Sequence, residues 1–147
     1  MATLTIMVGL PASGKSTIAK TLEEFGSITI ISTDSIRKEL LGAEENQTNR
    51  QLIFDTAYAR IIETLESGKN CVFDATNLKA KNRKWLCKKF RPYADRIVAC
   101  YLATDAETCI ARDKARERTV GEEVIRRMAA TASKPSLDEG FDDICCC

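Results

Sequence analysis

Gly9-Leu10-Pro11-Ala12-Ser13-Gly14-Lys15-Ser16-Thr17 is the stretch on which the reading of this chain turns. It fits the pattern G-x-x-x-x-G-K-[ST], and its neighbours fit the context that pattern needs. Thr3 to Val8 before it is a short β-rich apolar run. Ser16 to Phe25 after it carries Ile18, Ala19, Leu22 and Phe25 at helical spacing, with Gly26 as the stop. Strand, glycine turn and helix in that order let successive backbone N–H groups curl around a phosphate at a helix N-terminus. Lys15 reaches the β- and γ-phosphates, and the Ser16 hydroxyl takes Mg²⁺. The expected nucleotide-binding set is Gly9, Pro11, Ala12, Ser13, Gly14, Lys15, Ser16 and Thr17, with Ser16 as metal ligand and ATP and Mg²⁺ as cofactors.

Working outward, strand-like runs end at Ile31, Phe73 and Leu102, and helical spacing predicts helices over 34–41, 52–65, 79–90, 106–115 and 120–131. The stretch from Lys134 reads as a loop-like tail that forms at most a last short strand. Alternation of strands and helices predicts an α/β three-layer P-loop NTPase fold: a parallel sheet of four to five strands with helices on both faces. One domain over 1–147 is expected, with 1–133 as core and 134–147 as tail. Ligands of such sheets sit beyond the carboxyl ends of the strands, where Asp34 and Asp74 both fall.

Composition removes whole classes of chemistry. The 147 residues include no histidine, which excludes Ser-His-Asp and Cys-His nucleophiles and His-ligated zinc. Lys plus Arg number 22 against 21 Asp plus Glu, a balance unlike that of a protein coating long DNA. Seven cysteines without a CxxC pair point to a reduced compartment, and no basic leader or membrane-length apolar run is present, so a cytoplasmic location and no membrane partner are expected. Cys145-Cys146-Cys147 does not fit the C-a-a-X lipidation pattern, because Ile144 stands where the cysteine should be.

P-loop proteins include switches and motors, but this length leaves little room for switch regions, and neither DxxG nor NKxD follows in its place. A small phosphotransferase leads, and it needs an acceptor site, a proton acceptor and cations over the transferring phosphoryl. Asp34 and Arg37 lie one helical turn apart, as a base and an acceptor-binding cation would; Asp34 also suits a helix cap. Asp74, opening Asp74-Ala75-Thr76-Asn77, suits metal-bound water, the acceptor or a turn. Arg112, Arg116 and Arg118 read as an arginine lid or as a solvated face paired to Asp113 and Glu117. Lys79, Lys81, Arg83, Lys84, Lys88, Lys89 and Arg91 form a basic helix. It is either a track for a phosphate backbone or a plain solvated face with Trp85 in the core beside Leu86 and Phe90. Phe54 and Tyr58 read as core in preference to base-stacking platforms.

Together these motifs resemble the kinase domain of the polynucleotide 5′-kinases from the first strand to about Ile144. They are the P-loop, Ser32-Thr33-Asp34-Ser35-Ile36-Arg37, Phe54-Asp55, Asp74 to Asn77, the arginines before Val124-Ile125-Arg126, and Glu139-Gly140-Phe141. The resemblance implies an ATP-dependent kinase for a 5′-hydroxyl end of RNA or DNA. In it Asp34 is general base, Arg37, Asp74 and Asn77 contact the acceptor, and Lys15, Arg112, Arg116 and Arg118 serve the transferring phosphoryl. The phosphatase or ligase domains often fused to such kinases are absent from the sequence. The first two motifs also occur in kinases of small hydroxyl compounds, and a nucleotide-binding module without transfer is a further alternative.

Overall fold

β-branched and apolar runs too short for helices build the sheet, and each helix buries one apolar stripe against it. In the computed structural model, which describes residues 2–24, 26, 28–42, 49–116 and 120–146, the order begins with β1 (Thr3–Val8), α1 (Lys15–Glu24), β2 (Ile28–Ser32), α2 (Thr33–Leu41) and α3 (Arg50–Glu66). It continues with β3 (Asn70–Asp74), α4 (Ala80–Phe90), β4 (Arg96–Tyr101), α5 (Ala106–Lys114), α6 (Glu122–Thr131), a 3₁₀ turn (Leu137–Glu139) and β5 (Asp143–Cys146). Phe25 and Arg118, both singled out in the sequence, lie outside the described residues.

The five strands lie in the order β2-β3-β1-β4-β5, and every neighbouring pair is parallel. The last of them is the short strand left open for the tail. β1 is central, with Leu4 opposite Cys71 on one side and Ile97 on the other. A strand sandwiched between helices must be apolar on both faces. Accordingly Leu4, Ile6 and Val8 pack with Ile61, Phe73, Leu86 and Phe90, while Met7 packs on the opposite face with Ala19 of α1.

Two expectations fail in α4. Trp85 is 47% exposed instead of lying in the core, whereas Arg83 is 0% exposed. Arg83 shares the inner helical face with Leu86 and Phe90, and its charge is matched there: Nε and Nη2 donate to the Glu139 carboxylate at 2.7 and 3.0 Å. The same guanidinium donates to the Asn77 carbonyl at 2.9 Å and to Ser133 Oγ at 3.0 Å. Arg91 is bound to Asp142 and to the Gly140 carbonyl, so the basic face of α4 is smaller than the sequence suggests.

Candidate active site

The loop between β1 and α1 closes on itself and is pinned from outside. The Ser13 amide donates to the Leu10 carbonyl at 3.1 Å, while the Ser13 carbonyl accepts from Thr104 Oγ1 at 3.0 Å and Arg112 Nη1 at 3.3 Å. Gly14 has φ +105°, a conformation L side chains rarely adopt, and Ala12 is also left-handed at φ +62°. Gly9 serves by size: a Cβ there would meet Ser13 Oγ at 2.6 Å. Its amide donates to the Thr76 carbonyl at 3.0 Å, and it does not line the cavity above the loop. Here Gly9 is placed as a support beneath the loop.

That cavity, of about 1070 Å³, is lined by Pro11, Ala12, Ser13, Gly14, Lys15, Ser16 and Thr17 on one side. Asp34, Arg37, Asp74, Arg112 and Arg116 also face it. Lys15 is buried, and its Nζ donates to the Leu10 carbonyl at 2.7 Å. Burial pushes its pKa below the ordinary value, against the opposing pull of Asp74 and Asp34. Asp74, at the carboxyl end of β3, is 7% exposed and accepts from Ser16 Oγ at 3.0 Å. Burial raises its pKa, while Lys15 and the Ser16 hydroxyl lower it. Two hard oxygen donors side by side at the mouth of a phosphate loop are the chemistry Mg²⁺ takes: one or two protein oxygens, with substrate phosphates and water completing the octahedron.

Asp34 sits in the first turn of α2, and its Oδ1 accepts from Arg37 Nη1 at 2.9 Å. The capping alternative is settled by Ser32, whose hydroxyl accepts from the Ser35 amide at 3.3 Å and so occupies the cap in place of Asp34. Arg37 is 6% exposed and its Nε has no hydrogen-bond partner. The same holds for Ser13 Oγ and Arg116 Nε, so all three buried unpartnered side-chain polar atoms among the described residues belong to residues of this cavity. A buried donor left unpaired costs about 1–3 kcal/mol, a cost a protein tolerates where a ligand supplies the partner.

Asn77 does not join them. It is 4% exposed and its Nδ2 donates to the Met7 carbonyl at 2.8 Å and the Ala75 carbonyl at 3.3 Å, tying the turn after β3 to β1. Its amide nitrogen is thereby committed to backbone, a structural tie at this turn. Arg112 and Arg116 reach the cavity, and Arg116 also pairs with Asp113, which is buried and not part of a solvated face. Arg126 pairs instead with Glu107 and Glu122. The sequence reading missed Arg127, which lines the cavity from α6 one residue further on, and Arg50, which lines it from the first turn of α3. Phe54 lines it as well, with the Arg50 guanidinium carbon 4.8 Å from its ring centroid. Arg50 and Phe54 lie four apart on one helix, the spacing that could have flagged the pair.

Comparison with known proteins agrees with this fold. A chain of the Pnkp1/Rnl/Hen1 RNA repair complex superposes with a TM-score of 0.80 at 20% identity, covering 88% of this chain and 43% of that one. Chaetomium thermophilum Kti12, solved with ADP-AlF3, gives 0.78 at 16% identity over 98% of this chain and 88% of that one. Fructose-2,6-bisphosphatase of Saccharomyces cerevisiae is 38% identical over 106 residues, 57% of this chain and 24% of the yeast protein. The chain thus spans about a quarter of that curated relative and less than half of the repair-complex chain. Residues 4–135 match the AAA_33 family, described as an AAA domain, and the chain belongs to that family, with its nucleotide-binding P-loop kinase fold.

Proposed function

We propose that the chain transfers the γ-phosphate of ATP to a 5′-hydroxyl end of RNA or DNA. The observation that carries this reading is that the Asp34–Arg37 pair opens into the same cavity as Lys15 and Ser16, with a buried Arg37 Nε still seeking an acceptor. The Pnkp1/Rnl/Hen1 RNA repair complex, similar in fold, supports the nucleic acid class. Kti12 with ADP-AlF3 supports the nucleotide.

In this reading the loop amides and Lys15 bind the β- and γ-phosphates, and Ser16 with Asp74 holds Mg²⁺. Asp74 therefore serves the metal in place of the acceptor contact inferred from the sequence. A Mg²⁺ held there would offset negative charge on the β- and γ-phosphates. Asp34 orients the acceptor hydroxyl and takes its proton as the new P–O bond forms and the bond to ADP breaks. Arg37 pairs with the acceptor's first phosphate. Arg112 and Arg116 stabilise charge on the moving phosphoryl, with Arg118 next in the chain.

The test is transfer of label from γ-labelled ATP to a 5′-hydroxyl oligonucleotide in the presence of Mg²⁺. Label on the 5′ end supports the proposal. Transfer only to nucleosides, sugars or other small hydroxyl compounds, or nucleotide binding with no transfer, overturns it.

A further inference from the structure

The aromatic residues near the cavity do not stop at its edge. Phe54 lines the cavity, and its ring centroid lies 5.9 Å from that of Tyr58 on the same face of α3. Tyr58, half-buried against Phe73 and Phe90 of the core, in turn lies 5.2 Å from Trp85 of α4 with the rings tilted by 55°, so it links Phe54 to the exposed Trp85 face. The Lys89 ammonium stands 5.3 Å from the Trp85 centroid and 5.8 Å from that of Tyr58. Burying Trp85 would be worth several kcal/mol of transfer free energy, yet 47% of it is exposed. Lys81, Lys84 and Lys88 are exposed on the same helix.

We infer that the Phe54–Tyr58–Trp85 ladder is a stacking track for the nucleotides that follow the acceptor end, running from the cavity onto the face shared by α3 and α4. The inference rests on the polynucleotide reading proposed above. Aromatic faces take any base, and neighbouring lysines take the backbone, which is how single strands are held without sequence readout. Arg50 over Phe54 begins the track inside the cavity, and Lys89 beside Trp85 ends it on the surface. The occupant fits because both parts of a single strand have a counterpart: ring faces for the bases, and Arg50 and Lys89 for the phosphates.

Trp85 is the only tryptophan, so its own emission reports the contact. The 147-residue chain is titrated with a mononucleoside 3′-phosphate and with 5′-hydroxyl oligo(U) or oligo(dT) of increasing length, and phosphotransfer is measured on the same acceptors. We expect the oligomers to quench Trp85 emission and the mononucleotide to leave it unchanged. Trp85→Ala should raise KM for an octamer about tenfold with kcat unchanged, leave KM for the mononucleotide unchanged, and be rescued by Trp85→Phe. Should Trp85→Ala fold poorly, Lys88→Glu with Lys89→Glu carries the test through a raised octamer KM and a shallower salt dependence. Equal octamer and mononucleotide effects, or no quenching by any oligomer that is phosphorylated, overturn the track while leaving the kinase reading intact. Absence of transfer to every oligomer by the wild-type protein overturns the kinase reading and the track with it.

Discussion

Arg83 and Glu139, 56 residues apart in sequence, form a fully buried two-point ion pair, with exposures of 0% and 4%. The pair fixes the segment before β5 to α4 and, through the Asn77 carbonyl, to the turn after β3. Removing one partner leaves an uncompensated charge in an apolar site. Glu139→Ala should therefore lower stability by about 3–5 kcal/mol, read as a shifted midpoint in chemical denaturation. Arg83→Met with Glu139→Leu should be less damaging than either single removal; a double variant as unstable as the worse single one refutes this account.

Asp34→Asn keeps the shape of the first turn of α2 and removes the carboxylate that the proposed mechanism uses as proton acceptor. Nucleotide binding, read by equilibrium titration with ADP, should persist, and transfer should fall by about 10²–10⁴-fold. Because Ser32 holds the cap, the melting temperature should change little. A large drop in melting temperature would show that Asp34 is structural after all.

Asp113 joins the end of α5 to the start of α6. Burial works against its charge, but hydrogen bonds from the Val120 and Gly121 amides and from Arg116 outweigh that and hold its carboxyl below the ordinary 3.8. A carboxylate with a depressed pKa lends stability that is complete above the unfolded value and is lost as pH falls through the folded one. Melting temperatures should accordingly decline as the pH is lowered from about 4. Asp113→Asn should be less stable near neutrality and show a flatter acid limb; an unchanged limb would assign acid sensitivity elsewhere.

The thiols divide by environment. Burial pushes Cys71 up to about 12 and Cys87 up to about 11, which keeps both protonated and unreactive, whereas Cys145 and Cys146 are exposed on β5. An aromatic disulfide reagent should label Cys145 and Cys146 in the native protein and reach Cys71 and Cys87 only after denaturant. Labelling of Cys71 without unfolding would contradict this core.

Most of the fold was legible because its signals are local: glycine turns, short β-branched runs and stripes at helical spacing. The phosphate loop was legible for the same reason. The misses fall where a side chain's surroundings come from distant elements. Arg83, Leu86 and Phe90 recur at the spacing of an inner helical face, but a charge there makes sense only once Glu139 is seen to meet it. That displaced Trp85 outward, roughly 100° around the helix from Leu86. Asn77 is assigned to the acceptor through the resemblance carried by Asp74 to Asn77. Only the parallel pairing of β1 with β3 shows that its donors are used by Met7 and Ala75. Arg50 and Arg127 are plain surface arginines until α3 and α6 bring them to one cavity.

The Ser13 carbonyl receives its two outside hydrogen bonds from residues 91 and 99 positions away. The phosphate loop is thus synthesised well before the residues that complete its shape. A nascent chain that has not yet added Thr104 and Arg112 contains the whole motif without the contacts that shape it, and closing so long a loop is a slow, late event in folding. Nucleotide affinity in this protein therefore reports on completion of the fold, and a fragment that ends before Thr104 carries the motif without its shape.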